Sequence, residues 1–212
     1  NPRREIACSH GRWSILFMRS PIVAFLLISA FLTTACTPSA DLAAPEAAFR
    51  TSNVTLLQIT EDRVGGITAE TAYAPKAIEA SLPGFTTEGI QTAVENNTEW
   101  ALAAFNTDGF QVLQVFKGQN GKVRTVHGVT HHLQGPNGER IGMTFAEIGT
   151  ARADCRIGRN LWRGMASCES TGHPNGELVY AIPGYTGPFD VLPPAQELFD
   201  AQLQRILWTP KT

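Results

Sequence analysis

The chain has no apolar run long enough to cross a membrane. Its most apolar stretch is residues 21–35, fifteen positions, and the uninterrupted part, 22–28, is shorter still. A spanning helix needs roughly 20 apolar residues. The sequence also lacks C-x-x-C, G-x-S-x-G, G-x-G-x-x-G and Walker patterns. A paired-thiol redox motif, a nucleophile elbow, a dinucleotide fold and a phosphate loop are therefore without their signatures. Nor is there an excess of basic charge. The whole chain has 17 Lys and Arg against 19 Asp and Glu. Leaving out residues 1–35 removes Arg3, Arg4, Arg12, Arg19 and Glu5, so 13 and 18 remain, a net charge of −5. A mildly acidic surface excludes nucleic acid as a partner, which needs a basic footprint. Cysteines number only four, and two of them precede residue 37.

What is present begins with a leader. Arg19 and Ser20 stop the apolar run from extending backwards, and small residues follow it. One positive charge, a short apolar core and a small-residue cleavage region make a signal peptide, read here as residues 18–35. Met18 is the natural start. Residues 1–17 are read as upstream sequence or an over-long charged region and are kept out of fold reasoning. Leu32-Thr33-Thr34-Ala35-Cys36 resembles a bacterial lipobox, with Thr33 where Leu, Val or Ile is usual. Cys36 is the expected lipidation site, and its acyl chains would anchor the protein in the membrane. Thr37 stands where Asp favours inner-membrane retention in enterobacterial lipoproteins, so the expected location is the outer membrane, facing the periplasm. Residues 36–53 are rich in small residues and proline and read as a tether. Residues 54–212 read as one globular domain, large enough for a sizeable core.

The coarse pattern within that domain predicts an α+β fold, an antiparallel sheet with short peripheral helices. Residues 54–60 are aliphatic and β-branched. Residues 74–82 predict a helix, with Pro75 in its first turn and Pro83-Gly84 ending it. Segments 90–94, 99–105, 110–116 and 123–130 predict strands, with turns at Asn96-Asn97, Asp108-Gly109 and Asn120-Gly121. Thr144 and Glu147 have capping-box spacing at the start of a second helix. Residues around Cys155 and Cys168, then 178–182 and 204–208, predict more strands, with a proline-led helix over 193–200 before the last. Trp100 and Trp208 sit in apolar strand patterns and are expected in the core. Export to an oxidising compartment makes a Cys155–Cys168 disulfide the expected use of that pair, across a hairpin-like turn.

Several segments occur in an order that resembles a known family: VGGITAETAYAPKAIEASLPG, GERIGMTFAEI, the two late cysteines and LQRILW. Together, over roughly residues 64–210, they resemble the RpoE-regulated lipoprotein family of Gram-negative envelopes, a domain of unknown function. The resemblance implies an envelope lipoprotein made under cell-envelope stress control. It brings no activity and no catalytic residues.

Candidate chemistry is sparse. His127, His131 and His132 invite a metal reading, but no nearby carboxylate would orient their rings, and half-exposed strand histidines are expected. His173 with Ser167 or Ser170 and an acid would make a hydrolase, although the serines lack an elbow motif. No catalytic residue, metal or cofactor is assigned. Arg156, Arg159, Trp162 and Arg163 crowd around the expected disulfide and form a candidate contact surface for an acidic or phosphate-bearing partner. Charges that keep an edge hairpin soluble are the alternative, and Trp162 is either a contact anchor or folded back onto the core. The expected role is a non-enzymatic, membrane-tethered lipoprotein that works through an envelope protein or lipid. The alternatives are a periplasmic hydrolase and a small-ligand carrier.

Overall fold

Tight turns set the architecture. Gly109 and Gly121 take φ of 79° and 76°, left-handed values open to glycine at no steric cost, and each folds one strand back on the last. The computed structural model describes residues 56–211. The signal segment 18–35, Cys36, the tether 36–53 and residues 1–17 lie outside the described residues.

The elements in order are β1 (Leu57–Gln58), β2 (Arg63–Val64), β3 (Ile67–Thr68), α1 (Pro75–Ser81), β4 (Thr86–Ala93), β5 (Thr98–Phe105), β6 (Gln111–Lys117) and β7 (Val123–Gly128). Then come β8 (Leu133–Gln134), α2 (Phe145–Ile148), β9 (Cys155–Ile157), β10 (Ala166–Ser170), β11 (His173–Ala181), α3 (Ala195–Leu198) and β12 (Gln202–Trp208). Eight strands form one sheet in the order β4-β5-β6-β7-β12-β11-β10-β9, with every neighbour antiparallel. The last strand, β12, lies between β7 and β11 and so joins two meanders that the chain builds separately. The short β1 pairs in parallel with β8, and β2 pairs with β3.

This overturns the α+β expectation. Among the described residues the three helices have seven, four and four residues, and the fold is β-rich. The helix starts are where the sequence puts them: Pro75 begins α1, and Thr144 and Glu147 form a capping box on α2. Each helix is then cut short. Pro83 follows α1, Gly149 ends α2 in the left-handed region at φ 74°, and β12 begins four residues after α3. Four residues make about one turn, too little to form a layer.

One face of the sheet carries the core. Leu102, Leu113, Val115, Val126, Leu178, Tyr180, Ile206 and Trp208 are buried on it. Ile78 and Leu82 from the α1 segment, Phe145 from α2 and Leu198 from α3 cover it, together with Ile59, Val64, Ile67 and Leu133. Cys155 and Cys168 stand opposite each other on β9 and β10 and are joined by a disulfide, with their Cα atoms 4.0 Å apart. Trp208 is in the core as expected. Trp100 is not: it is 68% exposed, at the end of β5 beyond the covering elements.

Candidate functional site

The second face of the sheet is where the unexplained polar groups collect. Antiparallel partners point to the same side, so the register puts Ala101, Ala103, Gln114, His127, Arg205, Leu207, Val179 and Ser167 together on it. Two β-bulges shape this face. One lies opposite the Ala104/Phe105 step, where Val112 is the extra residue, and turns Gln111 to the same side as Gln114. The other lies between Val179 and Tyr180, where Gln204 is the extra residue beside Arg205. Bulges bend a strand and re-aim its side chains.

The face is concave because the two edge strands are drawn together across it. Glu95 follows β4 at one edge, and Arg156 lies on β9 at the other. The Arg156 guanidinium grips both Glu95 oxygens, with Nη2 to Oε2 at 3.0 Å, and its Nη2 also donates to Glu177 at 2.8 Å. The Leu161 amide donates to the Glu95 carbonyl at 3.0 Å, and the Arg159 amide to the Glu95 carboxylate at 2.9 Å. Burial opposes ionisation of Glu95, but the Arg156 contact and the Arg159 amide together hold its carboxyl below the usual value.

The result is a trough of about 600 Å³ lined by Gln111, Gln114, Thr130, Trp162, Met165 and Arg205 among others, within the range of small-molecule sites. Trp162 is only 5% exposed and packs with Val179 and Leu207. Arg205 lies with its Cζ 6.0 Å from the centre of the Trp162 ring and donates to Gln114 Oε1 at 2.8 Å. Gln114 also accepts from Thr92 at 3.2 Å. Among the described residues no carboxylate pairs with Arg205, and burial alone lowers the pKa of its guanidinium. Gln111 Nε2 is buried with no hydrogen-bond partner. Beneath the trough, His127 is 3% exposed and lies between Phe116 and Trp162. Burial, then the charges of Arg205 and Arg124, hold its pKa at about 3, so it is neutral throughout the physiological range.

These positions revise the candidate contact surface. Of its four residues, Arg159 and Arg163 are exposed, and the Arg163 Cζ lies 6.0 Å from the centre of the Phe189 ring. Arg156 is engaged by two carboxylates on the concave face, and Trp162 is folded inward. The loop between β9 and β10 is tied by Glu95 to the opposite edge, with Arg159, Leu161 and Arg163 exposed along it. His127 is not the half-exposed strand histidine expected, because β12 and the inward Trp162 cover it. His131 and His132 fall in the turn after β7, where His132 stacks on Phe110 with ring centres 4.6 Å apart.

The serine–histidine–acid arrangement assembles differently from a hydrolase site. Ser170 Oγ donates to Glu139 at 3.0 Å, while His173 Nε2 meets Asn137 Oδ1 at 3.2 Å. Glu139, 2% exposed, also accepts from the Asn137 amide and Asn137 Nδ2, at 2.8 and 3.0 Å. The hydroxyl is thus bound to the acid and the imidazole to an amide, and the cluster pins the 135–139 turn onto the β10–β11 turn. A buried donor left without its acceptor costs about 1–3 kcal/mol. Glu139→Ala is therefore expected to lose about 2 kcal/mol in urea denaturation, and a loss near zero would mean that the turn is not pinned there.

A family model described as "Protein of unknown function (DUF1131)" matches residues 45–210. The chain belongs to that family. In fold, this DUF1131 domain is similar to the crystal structure of the uncharacterized protein yfeY from Escherichia coli, with a TM-score of 0.58 at 17% sequence identity. The alignment covers 72% of this chain and 99% of that one. No curated protein matches the chain.

Gln111, Gln114, Met165 and Arg205 had no place among the sequence-based candidates. The one signal in the sequence is the consecutive polar pair Gln204-Arg205, which breaks the alternation begun at Gln202-Leu203 at the position of the bulge.

Proposed function

We propose that this protein is a membrane-tethered envelope lipoprotein, made under cell-envelope stress control, whose folded domain acts by binding. The anchor is Cys36, the location the outer membrane facing the periplasm, and the work is done at the concave face. The trough is the observation that carries this reading: two bulges and a cross-sheet clamp hold an unpaired arginine and an unpartnered amide beside apolar walls. Such an arrangement serves to receive a ligand and has no evident use in packing. The disulfide supports an exported protein, since such bonds persist in oxidising compartments. The commitment of Ser170 to Glu139 favours binding over the hydrolase alternative, because a nucleophile needs its base within reach. Of the remaining alternatives, the small-ligand carrier gains most.

The tether is tested by intact mass of the protein extracted from Gram-negative membranes with detergent and without reductant. The expected mass is that of residues 36–212 plus lipid, with Cys155 and Cys168 oxidised. An unmodified Cys36 would overturn the anchoring.

A further inference from the structure

Arg205 is a cation without a counter-ion in a half-enclosed trough. Its guanidinium has five N–H donors. One nitrogen, Nη1, serves Gln114, and the remaining donors have no carboxylate to meet among the described residues. Gln111 Nε2 adds a buried donor with no acceptor. Both side chains line the same trough. A buried donor without a partner lowers stability, so an acceptor supplied from outside would complete both groups at once. The acceptor must be anionic to match the guanidinium and compact enough for one cation and one amide. A carboxylate fits, because its two oxygens accept side by side from a guanidinium and a neighbouring N–H. A phosphate dianion would bring more charge than the single unpaired arginine offsets. Thr130 and Gln204 apart, the other lining is apolar and includes Leu161, 53% exposed at the rim, with Trp162, Met165 and Val129. An exposed leucine beside a buried tryptophan suits a hydrocarbon.

We propose that the trough binds a carboxylate-bearing amphiphile, its carboxylate held by Arg205 and Gln111 and its hydrocarbon laid against Leu161, Trp162 and Met165. The proposal rests on the binding reading of the concave face and adds the chemistry of the ligand. Gln114 is the positioning residue: it holds one side of the guanidinium, and Thr92 in turn holds Gln114.

The test uses the full chain in phosphatidylcholine nanodiscs with 13C-labelled methionine methyls. The chain has three methionines. Met165 lines the trough, and Met143, outside it, is the internal control. Hexanoate, hexanamide and hexyl phosphate are titrated in turn. Hexanoate is expected to shift the Met165 methyl saturably and leave Met143 in place, with hexanamide roughly tenfold weaker or worse. Arg205→Met keeps the apolar stem, and Gln114 keeps its bond from Thr92. This variant is expected to lose roughly tenfold in hexanoate affinity with hexanamide unchanged. Gln111→Leu is expected to raise stability while weakening hexanoate, a pair of effects that a purely structural glutamine would not give. Equal binding of hexanoate and hexanamide, or an unchanged affinity in Arg205→Met, would overturn the head-group assignment while the trough stands as a binding site. Tighter binding of hexyl phosphate would overturn the carboxylate. No Met165 shift with any of the three would overturn the binding reading of the concave face itself.

Discussion

Trp208→Ala is expected to lower stability by about 4 kcal/mol, as large aromatic truncations in a packed core do. Trp208 is 1% exposed in the strand that joins the two meanders. It pairs with Val126 of β7 on one side and Gly176 of β11 on the other. Its indole donates to the Glu61 carbonyl at 3.0 Å, which ties the segment before β2 to the sheet. Its own carbonyl accepts from the buried Thr125 hydroxyl at 2.9 Å. Truncation removes the ring contacts and leaves a cavity at the seam. Trp208→Phe separates the two contributions. It keeps most of the ring and loses the indole bond, so about 1 kcal/mol is expected, since Glu61 is exposed and its carbonyl can turn to water. Urea denaturation followed by far-UV circular dichroism reads both variants. A loss below about 1 kcal/mol for the alanine variant would mean that β12 is not the seam described.

The position of β12 explains what a sequence reading can and cannot reach. Local signals are faithful here because turns and caps act within a few residues: Asp108-Gly109, Asn120-Gly121, Pro75 and the Thr144–Glu147 box are where the sequence puts them. The α+β expectation overstates the helices because the same start signals open helices of any length. What stops them is separate from the start: Pro83 follows α1, Gly149 ends α2 in the left-handed region, and only α3 is cut short by the start of β12. Residues 99–105 show no clean apolar–polar alternation, for a physical reason. Ala101 and Ala103 face the trough, Leu102 and Ala104 face the core, and all four are buried. A strand buried on both sides shows no alternation.

The candidate site was less legible than the fold. Arg156, Arg159 and Arg163 are close in sequence and invite a shared role, yet Glu95, some sixty residues away along the chain, decides what Arg156 does. Trp162 looks like a hairpin tip until the same residue, Glu95, draws its loop across the sheet. Arg205 on β12 and Gln111 on β6 are far apart along the chain and line one trough, each next to a bulge in its pairing. Bulges carry weak sequence marks, and the clamp that makes the sheet concave joins strands that are last and first in the sheet order. Such long-range closure has no local spacing to betray it.

His127 makes the buried side of that concavity measurable by pH. Its pKa falls from 6.5 in the unfolded chain to about 3 in the fold, through burial first and then Arg205 and Arg124. Between those values the unfolded chain binds a proton that the folded protein refuses. Stability from this group is therefore full above about pH 6.5 and is lost as the pH falls, by about 1.4 kcal/mol per unit. The expected loss is about 2 kcal/mol at pH 5 and about 3 at pH 4. Other groups titrate in the same range. Burial, assisted by His131, lowers the pKa of His132, and Glu95 adds its own loss as its carboxyl protonates below the usual value. Comparison with His127→Leu, of similar volume and without a proton to bind, cancels those shared contributions. Denaturation midpoints at about pH 7.5 and pH 5 should differ by much less in the leucine variant than in the parent. Parallel pH dependences would mean that the imidazole reaches water, and with it that Trp162 and the clamped loop do not close over the trough floor.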